Sequence, residues 1–216
     1  MIRAEECVLV LLAAGRSSRM GDIGSKLDQP FLGRPLGLHV AVALEDMPFL
    51  ERIAVIGAAE CDYARHGFAI VRNDDPAQGL SRSVRLGVER ARAAGARAIV
   101  LALADMPRVT ATHIYALLDA ADGDDAVVAS SDGHAPKPPC VFGRDRFDAL
   151  CDLEGDAGAR ALILAGKHVV TVPAELIDVD TPEELEELRR LVHAPEARTR
   201  WRPSPLPLAG GAGGGQ

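Results

Sequence analysis

Val8-Leu9-Val10-Leu11-Leu12-Ala13-Ala14-Gly15-Arg16-Ser17-Ser18-Arg19-Met20-Gly21, with Lys26 shortly after it, is the stretch on which the fold reading turns. The apolar run is short and rich in Val and Leu on both faces, the pattern of a buried parallel strand. It ends in small residues. Ala13, Ala14 and Gly15 carry little side-chain bulk, so backbone N–H groups there can approach a ligand closely. Arg16, Arg19 and Lys26 then add positive charge on what reads as an exposed loop. A ligand with several anionic oxygens, such as a triphosphate, suits that arrangement. Two familiar phosphate loops are excluded. Counting from Gly15, Met20 stands where a Walker loop needs its second glycine. Ser17 stands at the second glycine of the dinucleotide fingerprint.

Outward from this stretch the chain alternates strands and helices. A helix is expected over 35–46, with Leu36, Val40, Ala43 and Leu44 on one stripe. Strands are expected over 52–57 and 68–71, the latter ending in the turn signal Arg72-Asn73-Asp74-Asp75-Pro76. Gly79-Leu80-Ser81 opens a long helix to about Ala94. The apolar run 98–104 reads as a central strand and ends in Asp105-Met106-Pro107. Thr110 or Thr112 can cap the next helix. A strand over 126–129, a Pro/Gly-rich loop over 130–139 and a short strand over 140–142 follow. Helices flank Gly155-Asp156-Ala157-Gly158, and strands are expected over 168–172 and 176–179. Thr181-Pro182-Glu183-Glu184 carries a capping box and starts a helix to about His193.

This order implies an α/β fold with a mainly parallel sheet. Residues 1–194 read as one domain. The Pro-, Arg- and Gly-rich stretch 195–216 reads as a disordered tail. Ligands of such sheets bind beyond the carboxyl ends of the strands. The loop after Leu12, the Asn73 turn and Asp105 should therefore meet in one crevice.

Composition narrows the function. With 48% hydrophobic and only 4% aromatic residues, the core must be built from Ala, Val and Leu. A net charge of −7 argues against DNA or RNA as the main partner. Cys7, Cys61, Cys140 and Cys151 show no metal-ligand spacing and read as reduced thiols. No signal peptide or membrane span is visible, so the expected compartment is the cytoplasm.

Asp105 ends a buried strand and can serve either as a turn or cap residue or as a ligand for a hard cation. Mg²⁺ would need a second protein ligand, for which Asp178 and Asp180 are candidates. In a strand the two share one face; Asp180 is favoured. Gly79 at a helix N-terminus would supply a positive dipole end.

The motif L-A-A-G-x-S-x-R-M-G followed by Lys resembles the signature of MobA-like nucleotidyltransferases, most of all the molybdenum cofactor cytidylyltransferase branch. The resemblance covers roughly residues 7–192. It implies a single Rossmann-like three-layer domain of the nucleotide-diphospho-sugar transferase type. It also implies Mg²⁺-dependent transfer of CMP from CTP to the phosphate of molybdopterin, releasing pyrophosphate. Leu12, Ala13, Ala14, Gly15, Arg16, Lys26, Asn73, Gly79 and Ser83 would bind the nucleotide, and Arg19 and Lys26 would assist catalysis. Asp105 and Asp180 would hold the metal. Gly155 and Asp156, in G-D-A-G-A-R, would lie on the acceptor side. Leu-Ala-Ala-Gly rather than Leu-Ala-Gly-Gly at the turn implies CTP over GTP, and a molybdenum hydroxylase would receive the product. One departure stands out: Ala135-Pro136-Lys137-Pro138 separates Gly133-His134 from Pro139-Cys140-Val141-Phe142. A sugar- or polyol-phosphate acceptor, or a non-catalytic nucleotide-binding module, therefore remains an alternative.

Overall fold

The computed structural model describes residues 1–15, 25–155 and 159–193; Arg16, Arg19, Asp156 and the 195–216 tail lie outside them. The strands are β1 (Cys7–Ala13), β2 (Pro30–Phe31), β3 (Arg34–Pro35), β4 (Glu51–Ile56), β5 (Ala69–Arg72), β6 (Ala98–Leu103), β7 (Val127–Ser131), β8 (Pro136–Gly143) and β9 (Lys167–Val170). The helices are α1 (Leu38–Leu44), α2 (Leu80–Ala93), α3 (Ala111–Ala120), α4 (Phe147–Cys151), α5 (Arg160–Ala165) and α6 (Pro182–His193).

All seven residues of β1 are buried, as a strand covered on both faces must be. Cys7, Leu9, Leu11 and Ala13 join Val40 and Leu44 of α1 and Ile114 and Leu117 of α3 in one core. Val8, Val10 and Leu12 point the other way, into a second core with Val84 and Val88 of α2 and Phe147 and Leu150 of α4. The period of two along β1 thus builds three layers, helices on either side of one sheet. Helix α2 packs close because position 87 is glycine; a Cβ there would collide with Val10. A third, smaller cluster of Phe31, Leu36, Val179, Leu185 and Leu188 seats α6.

The sheet has seven strands in the order β5-β4-β1-β6-β8-β7-β9. β1 is parallel to β4 and β6, β4 to β5, and β7 to β9. Only β8 runs antiparallel to its neighbours β6 and β7. The carboxyl ends of β5, β4, β1 and β6 therefore lie side by side. Backbone bonds extend this edge past the strands: Asn73 N–H donates to Ile56 O at 2.9 Å, and Ala104 N–H to Leu12 O at 3.0 Å.

Several expected elements differ. The helix expected over 35–46 is shorter, because Arg34–Pro35 turns back on Pro30–Phe31 as a hairpin. Its turn residues Leu32 and Gly33 have φ of 46° and 82°, the left-handed pair that twists correctly between two strands. The loop expected over 130–139 is mostly strand. β7 runs to Ser131 and β8 starts at Pro136, with a register shift between Ala129 and Ser130 that accommodates prolines lacking N–H donors. The strand expected over 176–179 is absent. Pro173–Leu176 forms a 3-10 turn, and the next residues run irregularly, held by Val179 N–H donating to Asp105 O at 3.0 Å.

Candidate functional site

Three loops at the carboxyl edge, after β1, β5 and β6, carry Ala14 and Gly15, Asn73, and Asp105. After β1, Ala13 and Ala14 are buried while Gly15 is exposed, and a Cβ at Gly15 would meet open space. The end of β4 shapes this turn too. A Cβ at Gly57 would lie 3.2 Å from Ala14 Cα and 3.3 Å from its carbonyl oxygen, so only glycine leaves the turn undisturbed. Reading along the chain missed Gly57, although it ends an apolar strand much as Gly15 does.

Asn73 is 4% exposed. Its amide donates to Ser83 Oγ at 2.9 Å, and its carbonyl oxygen accepts from Arg82 Nε at 3.1 Å and Asp75 N–H at 3.1 Å. The residue thus latches the β5 turn to the first turns of α2. Gly79 caps that helix with φ 81° and ψ −170°, backbone values open to glycine and not to L side chains. Gly155 reaches the same place: its carbonyl accepts from Ser81 N–H at 3.1 Å. Arg85 holds the preceding segment by donating from Nε to Cys151 O at 2.9 Å. Asn73, Gly79, Ser83 and Gly155 are therefore neighbours; Arg82 and Arg85, which organise them, were not singled out in the sequence.

Asp105 and Asp180, far apart in sequence, meet at Lys26. The Lys26 Nζ lies 2.6 Å from Asp105 Oδ2 and 2.6 Å from Asp180 Oδ1. Lys26 is 7% exposed, so the exposed loop expected for it is corrected: the turn carrying it is packed against the domain. Ser25 Oγ accepts from Leu27 N–H, Leu27 O accepts from Gly37 N–H, and the Asp28 carboxylate accepts from Glu60 N–H. Asp180 is placed by the start of α6. The Glu184 carboxylate accepts from the N–H groups of Asp180 and Thr181, and Thr181 Oγ accepts from Glu184 N–H. The expected capping box is present and has a second task, orienting Asp180.

Asp178 and Asp180 do not share a strand face, because there is no strand. Asp178 is exposed, while Asp180 is half-buried and paired with Lys26. Burial pulls the Lys26 ammonium down, but Asp105 and Asp180 together outweigh it and hold it above the usual lysine range. Burial pushes the Asp105 carboxyl up, Lys26 opposes, and the charges of Asp178 and Asp180 add to the rise.

Asp105 Oδ1 is buried with no hydrogen-bond partner. An orphaned carboxylate oxygen beside a second carboxylate fits a hard divalent cation. Among the described residues, no group of three or more His, Cys, Asp or Glu side chains forms a ready-made metal cage. Phosphate oxygens and water would have to complete the shell, as Mg²⁺ commonly requires. His134 is exposed at the β7–β8 hairpin. Also among the described residues, no helix is long and apolar enough to cross a membrane.

Residues 9–170 match the MobA-like NTP transferase domain. The chain is 33% identical over 208 residues to the purine catabolism protein PucB of Bacillus subtilis, covering 88% of this chain and 98% of that one. It is 31% identical over 205 residues to a molybdenum cofactor guanylyltransferase of Methylibium petroleiphilum, again covering 88% and 98%. The manganese complex of Rv0371C from Mycobacterium tuberculosis superposes with a TM-score of 0.64 at 27% identity, covering 85% of this chain and 98% of that one. With the three-layer sheet, the glycine-bounded turn after β1 and the match over most of its length, this chain belongs to the MobA-like NTP transferase family and is a nucleotidyltransferase of that type.

Proposed function

We propose that the chain transfers CMP from CTP to the phosphate of molybdopterin, releasing pyrophosphate and leaving the cofactor for a molybdenum hydroxylase. The observation that carries the reading is Lys26 bridging Asp105 and Asp180 at the edge where the β1 turn ends. The Leu12–Gly15 turn holds the base, with Ala14 packed beside Gly57 leaving room for a pyrimidine. Asn73, Gly79 and Ser83 hold the ribose side through the first turn of α2, whose positive dipole end favours an anion. An acceptor phosphate oxygen attacks the α-phosphorus; the new O–P bond forms as the bond to the β-phosphate oxygen breaks and pyrophosphate leaves. No protein nucleophile takes part. The chain positions the reactants and balances charge. Lys26, with Arg19 and Arg16, draws the triphosphate oxygens. Asp105 and Asp180 would hold Mg²⁺, which would neutralise charge on the phosphates. Gly155, with Asp156 beyond it, borders the acceptor. The cytoplasm is the compartment in which this substrate and these thiols fit.

The test is pyrophosphate release with CTP or GTP, with and without molybdopterin. Turnover with CTP and molybdopterin, and little with GTP, supports the reading; the relative named as a guanylyltransferase makes GTP the necessary comparison. Asp105→Asn should lower metal-dependent turnover by about 100-fold or more, the scale of losing one preorganised charge-stabilising group. Metal-free CTP binding, followed by calorimetry, should change little. Wild-type turnover and metal dependence in this variant would make Asp105 a turn residue. One observation favours a second acceptor class: residues 132–135 form a polar hairpin tip between β7 and β8 at the carboxyl edge of the sheet. A screen of sugar and polyol phosphates with CTP decides it.

A further inference from the structure

We infer that Arg108 receives the phosphate group of the acceptor and holds it for attack. This rests on the proposed reading, in which the acceptor attacks through a phosphate oxygen. Arg108 lies in the turn after β6, three residues past Asp105. That turn is fixed: Val109 N–H donates to Met106 O at 3.3 Å, and Met106 and Val109 are both buried. Arg108 itself is half-buried, and its Nε is buried without a hydrogen-bond partner. Among the described residues, its side chain makes no hydrogen bond or ion pair at all. The other half-buried arginines there, Arg52, Arg82, Arg85, Arg97, Arg146 and Arg189, each donate to an oxygen. Glu175 comes as near in the chain's bonding as Thr110, yet its carboxylate accepts from the Thr110 and Thr171 hydroxyls and not from Arg108.

A guanidinium drawn partly out of water without a partner is costly, so an anion from outside the chain completes it. Its planar fork presents paired donors that match two oxygens of a phosphate. Position decides which phosphate. The nucleotide is assigned to the turns after β1 and β5 and to α2. From Arg108 the chain runs into α3, which packs against β7, β8 and β9, the part of the sheet beyond β6. Arg108 therefore stands on the other side of Asp105 from the nucleotide turns. The positive dipole end of α3, which starts at Ala111, adds to the attraction for an anion there. Two oxygens of the acceptor phosphate accept from the guanidinium. The third forms the new bond to the α-phosphorus as the bond to the β-phosphate oxygen breaks and pyrophosphate leaves.

The test uses the full chain and two probes. In pyrophosphate release from CTP with molybdopterin varied, Arg108→Gln should raise KM for molybdopterin about tenfold or more and lower kcat less. Its CTP affinity should stay within about twofold of wild type. Arg108→Lys keeps the charge without the fork and should fall between. The second probe is inorganic phosphate, titrated by calorimetry into the chain saturated with metal-free CTP. Wild type should bind it, and Arg108→Gln should bind it about tenfold or more weakly. The urea midpoint of Arg108→Gln should be no lower than that of wild type, because the charge has no partner to lose; a lower midpoint with unchanged KM would make Arg108 structural. If wild type binds phosphate through Arg108 but does not turn over molybdopterin, the acceptor is another phosphate and the role of Arg108 stands. A wild type that binds no phosphate, or an Arg108→Gln variant that binds it equally well, overturns the inference. So does a variant that loses CTP affinity while KM for molybdopterin holds, since Arg108 would then serve the nucleotide.

Discussion

At the scale of single residues, Asn73 is a latch between the β5 turn and α2. Asn73 was expected against the base or ribose. Most of its amide is spent inside the protein, on Ser83, Arg82 and the Asp75 N–H. Asn73→Ala leaves these groups short of partners in a buried place. It should cost about 1–3 kcal/mol of stability, read by urea denaturation. Because the latch orients the first turn of α2, KM for CTP should rise more than kcat falls. A change in kcat alone would mean that Asn73 touches the reacting groups. Asp105 was legible because an aspartate directly after an apolar strand stands out. Its pairing with Lys26 was not, since nothing in a linear pattern measures a contact across the sheet edge.

At the scale of elements, the strong local signals survived. The apolar runs at 8–12 and 98–103 became adjacent strands, and Thr181 caps α6 as its spacing foretold. The failures came where proline or a short turn decided the outcome. Proline reads as a breaker, yet β8 carries three prolines and pairs with β7 across a register shift. Asp178 and Asp180 looked like strand neighbours, but one bond from Val179 to Asp105 fixes that segment instead. Thr181→Ala removes one half of the capping box and should cost about 1 kcal/mol in denaturation. The box also holds the Asp180 N–H through Glu184. The same variant should therefore bind Mn²⁺ more weakly, whereas a purely stabilising cap would leave that affinity unchanged.

At the scale of the whole molecule, two histidines tie stability to pH. His113 is buried and bonded to Ser130 Oγ at 2.7 Å, and that hydroxyl donates onward to Pro139 O. The hydroxyl proton is thus committed, and the imidazole must donate from Nε2 in its neutral form. His39 lies 2.8 Å from Phe31 O. Burial holds both imidazoles below the ordinary value of 6.5; Glu175 opposes weakly for His113, and Phe31 O opposes while Arg34 adds for His39. The unfolded chain therefore takes up protons first as pH falls. Stability should be full above pH 6.5 and decline as pH falls below it, by at most about 1.4 kcal/mol per pH unit for each histidine. Urea midpoints across that range should flatten in His113→Gln; an unchanged slope would assign the loss to other groups. The reversed direction of β8 has a consequence of another kind. Strands joined by long crossovers return to the far edge before coming back, but β7 and β8 are joined at the carboxyl edge by a tip of a few residues. That tip can be lengthened, shortened or exchanged without re-threading a helix. The proposed nucleotide side rests on four interlocked parallel strands that no local edit can replace. A chimera carrying a foreign tip should therefore keep its donor and change its acceptor, which makes this hairpin the place to begin redirecting the enzyme.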